Sequence, residues 1–331
     1  MSAADQENDD AQTQDKLTQA QLAAIENEIK SSQPLTSQLL PISALLHQYS
    51  SGTTDNNDAS EQQQQQQQQQ QAAGFIQAAQ FLSTKYTSLR RVRGDGNCYY
   101  RAFLYSLCEH LLLNNNNSGG GNGGGWKEFS RIKETIVNSL KWVCQFGYEE
   151  MTIDMFYEEL VELFDFIEQS LSADNNNSSV KHNEANDTTT AQHQLHTKLN
   201  EENSTSDYCT WYLRVLTAAQ MKSNPDRFLP FLLADEIQHG MIMDIPTFCS
   251  REVEPMGKEC GMVTVAALAE CLGVKVVIEY MDGRLSNGGS GGGGEVVNHV
   301  FGQMEDGGNG VDNDRICLTL LYRPGHYDIL Y

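Results

Sequence analysis

The stretch Arg93-Gly94-Asp95-Gly96-Asn97-Cys98-Tyr99-Tyr100-Arg101-Ala102-Phe103 constrains this chain more than any other. Gly94 and Gly96 tolerate positive φ, and the short side chains of Asp95 and Asn97 bond nearby backbone, so the first part reads as a tight loop. From Tyr99 on, Ala102, Phe103, Leu104, Leu107 and Leu111 recur at helical spacing. Cys98 is therefore expected where a loop enters a helix. A thiol there feels the positive end of the helix dipole, which favours the thiolate. Backbone N–H groups of the loop can converge beside the sulfur, as an oxyanion hole requires. A buried, inert cysteine behind a tight turn leaves the same trace, because free cysteine is commonly buried. On this stretch alone the two readings stand level.

The far end of the chain separates them. Ile316 to Tyr322 is β-rich, Arg323-Pro324-Gly325 is a turn, and His326 to Tyr331 is β-rich again, which predicts a hairpin. Residues i and i+2 of a strand face the same side, so His326 and Asp328 point together. A carboxylate beside an imidazole fixes its tautomer and stabilises its charged form, as in a nucleophile–base–orienter set. Together with the loop, cysteine and helix upstream, this favours hydrolase chemistry over a solvated His/Asp pair. Three other histidines compete as bases. His299 lies in an apolar, strand-like setting, and His239 sits near a helix end where a cation suits the dipole. His110 is about three turns along the helix from Cys98, too far to serve it.

The 331 residues suffice for one large domain or two small ones, and the net charge of −22 argues against nucleic acid as a main partner. It suits a basic partner surface, or simple solubility. None of the eight cysteines shows the short spacing of a zinc site. There is no signal peptide, and the longest apolar runs fall short of a membrane span. A reducing compartment, cytosolic or nuclear, is expected.

Apolar periodicity predicts helices over Leu17 to Lys30, Phe75 to Leu89, Trp126 to Phe146, Met155 to Leu171, Tyr208 to Met221 and Val263 to Leu272, the last stopped by Gly273. Val274 to Met281 reads as a central strand and Glu295 to Phe301 as another. Helices first and strands last make an α+β layout, a helical body packed against a small, mostly antiparallel sheet. Residues 1–14 are polar and expected to be disordered. Low-complexity or polar inserts are expected at about 50–72, which ends in ten glutamines, and at 114–125, 173–206, 283–294 and 305–314. His193 and His196, within the third, read as solvated. Because loop closure costs grow slowly with length, these inserts are expected to be dispensable.

Gly94 to Phe103 and the terminal Leu321-Tyr322-Arg323-Pro324-Gly325-His326-Tyr327-Asp328-Ile329-Leu330-Tyr331 resemble the otubains, cysteine proteases of the ovarian-tumour class that cleave ubiquitin from its conjugates. Val253-Glu254-Pro255-Met256 and Val276 to Asp282 also look like otubain segments, in the family's order. The resemblance covers most of the chain from about Leu17, as one catalytic domain over 15–331 with a helical arm at its start. It implies a papain-like fold of the ovarian-tumour type, with Cys98 as nucleophile, His326 as general base and Asp328 as its orienter. Asp95 also falls at a position that the family's motif treats as part of the active site; its side chain reads as holding the loop's shape, and its backbone N–H, with those of Gly96, Asn97 and Cys98, as lining the oxyanion hole. Strand geometry favours Asp328 over Asp95 as the partner of His326. The implied substrate is the isopeptide bond between the ubiquitin C-terminus and a lysine, in polyubiquitin or other conjugates, with Tyr99 and Tyr322 walling a tunnel for its diglycine end. Leu22, Ile25 and Ile29 of the arm would grip the ubiquitin on the lysine side. Thiol acyl transfer needs no metal or organic cofactor. One departure is Gly261-Met262, where many otubains carry Asp-His. Two rival readings remain: a non-catalytic, ubiquitin-binding regulator of ubiquitin-conjugating enzymes, and a glutamine-rich scaffold.

Overall fold

Six short strands form one mixed sheet in the order β1-β2-β6-β5-β3-β4. They are β1 (Leu40–Pro41), β2 (Ser88–Arg90), β3 (Lys275–Tyr280), β4 (Val297–Phe301), β5 (Cys317–Arg323) and β6 (His326–Leu330). The computed structural model describes residues 27–50, 62–114, 124–176, 184–239, 243–283, 296–302 and 315–331, and residues 18, 20, 21, 24 and 25 ahead of them. Every neighbouring pair of strands is antiparallel except β3 and β5, whose parallel register runs from Lys275↔Cys317 to Tyr280↔Tyr322. β5 and β6 make the expected hairpin, with Arg323 opposite His326 and Leu321 opposite Asp328.

Alternation along the strands gives the sheet two buried faces. Leu318, Leu320, Tyr327 and Ile329 face the main core, and their neighbours Leu321 and Leu330 face a second one. The main core is filled by the helical body: α3 (Cys98–Asn114), α4 (Gly124–Val143), α5 (Glu150–Asn176), α6 (Glu184–Lys198), α7 (Thr205–Ser223) and α10 (Met262–Leu272). The second core lies under α1 (Ser43–Ser50) and α2 (Gln62–Lys85), through Leu45, Ala79 and Leu82. So the sheet is covered on both faces, by the expected body on one side and by a two-helix layer on the other. Helices α8 (Pro225–His239) and α9 (Ile245–Phe248) extend the body around Phe228, Leu232, Ile245 and Val253.

Helix α3 runs through the middle. Tyr99, Tyr100, Phe103, Tyr105, Leu107 and Leu112 are all buried, which leaves it no solvent face in its first turns. Its N-terminus, and Cys98 with it, is therefore held by packing on every side.

The polar insert expected at 173–206 is corrected. Residues 184–198 form α6, and Leu195 and Leu199 are buried in the main core. Two leucines at i and i+4 seat one side of an otherwise polar helix, a stripe too thin to show as periodicity. His196, expected to be solvated, is half-buried and shares a 2.9 Å hydrogen bond with the Tyr105 hydroxyl. Asn200 Oδ1 accepts the Thr36 N–H at 2.8 Å. The insert expected at 50–72 is corrected in its second half, because one helix runs unbroken from Gln62 to Lys85. Glutamine is a good helix former, and a helix already nucleated by its packed end extends at little cost. The remaining parts of the expected inserts, at 51–61, 115–123, 177–183, 284–294 and 305–314, lie outside the described residues.

Candidate active site

The loop before α3 reverses at Gly96, whose φ is +76°. A Cβ there would also meet the Gly257 carbonyl oxygen at 2.1 Å, so both conformation and space require glycine. The Asn97 carbonyl accepts the Arg101 N–H at 3.1 Å, which makes Asn97 the N-cap and Cys98 the first helical residue, as expected.

Asp95 shapes this loop. Its Oδ1 accepts the Asn97 N–H at 3.0 Å, and its Oδ2 accepts Arg101 Nη2 at 2.7 Å. Arg101 also reaches Asp207 at 2.8 Å. With both oxygens taken, the Asp95 side chain holds the loop's shape. The Asn97 amide is spent on Asp95. Its side chain is spent too, since Oδ1 accepts Arg214 Nη2 at 2.8 Å and the Gly257 N–H at 2.9 Å. The Cys98 N–H lies in the first turn of the helix, where N–H groups have no intrahelical acceptor. It is the stronger donor for an oxyanion.

The hairpin delivers the base. His326 Nε2 lies 2.9 Å from Asp328 Oδ1, the two residues sharing a strand face as their spacing predicts. The Cys98 sulfur lies near enough to the same imidazole to raise its pKa. The other ring nitrogen, Nδ1, is turned to the loop: a Cβ on Gly94 would sit 3.5 Å from it. Burial alone would lower the His326 pKa. The Asp328 carboxylate and the Cys98 sulfur overcome that and raise it to about 9, so the ring is imidazolium at neutral pH. Cys98 is only 3% exposed, as an inert cysteine would be, but its neighbour is this imidazole.

Asp328 is fully buried, at 0% exposure, which by itself raises a carboxyl pKa. His326, the Arg323 guanidinium and the Val92 N–H outweigh burial and hold it below the usual carboxylate range. Arg323 Nη2 donates to Oδ2 at 2.5 Å, and the Val92 N–H donates to Oδ1 at 3.0 Å. Arg323 is steadied in turn by Gln48 Oε1 at 3.3 Å and the Tyr49 hydroxyl at 3.4 Å.

Sequence reasoning missed Arg214 and Arg323. Arg214 is fully buried in α7, and its guanidinium donates to the carbonyls of Val253, Gly96 and Lys258 at 2.9, 2.9 and 2.8 Å, besides Asn97. It lies over the Tyr100 ring at 4.5 Å. One cation thus ties the 253–258 loop to the turn before the nucleophile. A lone arginine on the apolar side of the Tyr208 to Met221 pattern was the signal available for it. Glu254, in that loop, is fixed by Lys222 and Tyr148, each at 2.7 Å.

The other expected site residues are dispersed. Tyr99 is 1% exposed, with its hydroxyl on the Val265 carbonyl, so it is a core residue and the tunnel-wall expectation is corrected. Tyr322 is half-buried and stacks on Tyr280 at 4.5 Å, still presenting an edge to solvent. In the arm, Ile25 is 54% exposed and Ile29 half-buried, and Leu22 lies outside the described residues. His299 is exposed on β4 against Tyr280, His110 is half-buried in α3, and His239 ends α8. Among the described residues no group of acids, cysteines and histidines could hold a metal ion.

The chain is similar to known proteins. The ubiquitin thioesterase OTUB1 of Homo sapiens is 30% identical over 317 residues, which span 96% of this chain and 90% of that protein. The ovarian tumor domain-containing deubiquitinating enzyme 1 of Arabidopsis thaliana is 28% identical over 300 residues, 90% of this chain and 81% of the other. The solved structure of h/ceOTUB1 with ubiquitin aldehyde and UBC13~Ub matches with a TM-score of 0.66 at 26% identity, covering 96% of this chain and 98% of that one. Residues 28–331 match the family described as Peptidase C65 Otubain, and the chain belongs to that family.

Proposed function

We propose that this chain is a cysteine-type deubiquitinase, hydrolysing the isopeptide bond between the ubiquitin C-terminus and a lysine ε-amine. The observation that carries this reading is the order Cys98, His326, Asp328: a cysteine at the start of a buried helix beside an imidazole whose pKa it raises, and Asp328 hydrogen-bonded to that imidazole at 2.9 Å. The Cys98 thiolate attacks the terminal carbonyl carbon, and the carbonyl electron pair moves to oxygen beside the Cys98 N–H. Collapse breaks the C–N bond as His326 gives its proton to the departing amine. A water then gives a proton to neutral His326 and adds to the thioester, and the C–S bond breaks to release the carboxylate and restore the thiolate. Asp328 holds the ring throughout. Ubiquitin carrying a C-terminal electrophile tests this: the chain should gain one ubiquitin at Cys98, and Cys98→Ala should gain none. Labelling at Cys108 instead, or none at all, would overturn the assignment.

We place the ubiquitin body on a groove of ≈ 290 Å³ lined by Phe228, Phe231, Met262, Val263, Val300 and Phe301 together with the Arg227–Glu270 ion pair. Phe231→Glu should raise KM for ubiquitin substrates without lowering kcat.

A second reading, regulation of ubiquitin-conjugating enzymes, is favoured by one surface. Met151 and Met155, one turn apart at the start of α5, are 89% and 52% exposed. The solved relatives were captured with UBC13~Ub or UBCH5B~Ub. We place such an enzyme on this methionine pair, so Met151→Arg should weaken its binding while leaving ubiquitin cleavage intact. All eight cysteines are free thiols, which supports the cytosol or nucleus as the compartment.

A further inference from the structure

A cavity of ≈ 500 Å³ opens beside the base. Its wall includes His326 and Gly94 on one side and Arg91, Gln48, Tyr49 and Arg323 on the other. The chain carries 44 acidic residues against 22 Lys and Arg, yet none of the twelve residues lining this cavity is Asp or Glu. The two guanidiniums differ. Arg323 is neutralised by Asp328 at 2.5 Å. Arg91 is half-exposed, donates to the Ala44 carbonyl at 3.2 Å and makes no ion pair among the described residues. In an otherwise acidic protein this is a pocket of opposite sign, with one cation left to bind an anion.

Its position tells which part of a substrate meets it. In the hydrolase reading the carbonyl under attack lies over the Cys98 sulfur, with its oxygen at the Cys98 N–H. The departing nitrogen must therefore lie toward the imidazole that protonates it. A lysine arriving at His326 brings the residues flanking it against the cavity wall. The pocket is also closed by Ser32, Gln33 and Pro34, directly after the arm expected to meet the ubiquitin on the lysine side.

We propose that this cavity is the leaving-side subsite, and that Arg91 selects conjugates bearing a carboxylate side chain next to the acceptor lysine. The assignment rests on the hydrolase reading above. Arg91 pairs with that carboxylate in a charge-assisted hydrogen bond, a fork geometry that lysine cannot reproduce. The amide of Gln48 and the hydroxyl of Tyr49 offer it further donors.

The test uses ubiquitin joined by an isopeptide bond to the central lysine of short peptides. The flanking residues are Asp and Glu in one, Ala in the second and Lys in the third. The full-length enzyme should show kcat/KM roughly tenfold higher for the acidic peptide than for the neutral one, the size of one charge-assisted bond at a partly solvated site. The basic peptide should be poorest. Arg91→Gln, which keeps donors for Ala44, should erase the preference, and Arg91→Glu should reverse it. Equal rates on all three peptides in the unaltered enzyme would overturn the proposal, and so would a preference that survives in folded Arg91→Gln. Either result leaves the hydrolase reading standing. Failure of the unaltered enzyme to cleave any ubiquitin derivative would instead remove the hydrolase reading, and this proposal with it.

Discussion

Replacing Asp328 by Asn tests how the site makes its acid. His326 stands at about 9 instead of its ordinary 6.5, a preference for the imidazolium of ~3 kcal/mol at about 1.4 kcal/mol per decade. Burial works against that preference, so the ring depends on Asp328 and on the Cys98 sulfur. An amide in place of the carboxylate removes the negative charge. It also cannot satisfy its neighbours: an amide oxygen toward His326 and Val92 leaves its NH₂ facing the Arg323 donor at 2.5 Å. With Asp328 supplying most of the support, loss of the imidazolium should lower kcat about fourfold at pH 7 and by roughly 10²-fold near pH 9. KM should hardly move, because the change acts on the base and not on binding. The assay is hydrolysis of a ubiquitin C-terminal fluorogenic amide across a pH series. In the unaltered enzyme the alkaline limb should lie near 9, where the imidazolium is lost. In Asp328→Asn it should move down to the ordinary histidine range of about 6.5 or below. A folded Asp328→Asn enzyme whose alkaline limb stays near its original position would refute the reasoning.

The same shift enters stability. His326 binds its proton more tightly folded than unfolded, so its contribution is complete below about 6.5 and is lost as pH rises through about 9. The melting temperature should therefore fall between those values, and His326→Gln should flatten the fall. Gly96→Ala combines a φ of +76° with a Cβ 2.1 Å from the Gly257 oxygen, whereas Gly147→Ala, at φ +92°, meets nothing within 4 Å. Chemical denaturation should show about 1–2 kcal/mol lost at Gly147 and clearly more at Gly96, with activity lost only at Gly96. Deleting residues 184–204 removes Leu195 and Leu199 from the main core and should abolish soluble folded protein, contrary to the view of this stretch as a dispensable insert. Removing residues 1–31 takes away the exposed Ile25 and should raise KM for diubiquitin while sparing a fluorogenic amide. If both activities drop together, the arm is part of the fold.

What the sequence determined by itself is what a few consecutive residues can decide. Two glycines and an Asx pair before an apolar run made the loop-to-helix setting of Cys98. A strand's period of two put His326 and Asp328 on one face, and the i+2 spacing became a 2.9 Å hydrogen bond. Gly273 stopped its helix in the left-handed conformation, at φ 59°. Asp95 was legible only as a choice of roles. Local geometry could not say whether its carboxylate would meet His326 or, as it does, the Asn97 amide and Arg101.

The tertiary structure alone decided what completes the site. The Val92 amide reaches Asp328 across 236 residues, and Arg214 reaches Asn97 across 117. Such partners leave no periodic trace, because neither position is set by the turn of its own helix or strand. They are set by how the layers stack, with α7 under the nucleophile turn and β2 alongside β6. For the same reason α6 escaped notice and Tyr99 was read as a tunnel wall and not as a core residue. A polar helix with two leucines is seated only once α3 and α5 offer it a groove. A tyrosine beside the nucleophile is buried only because the hairpin closes over it, with Tyr327 packed 5.2 Å from its ring. Backbone propensity acts over three or four residues, whereas burial is a property of the whole packed chain.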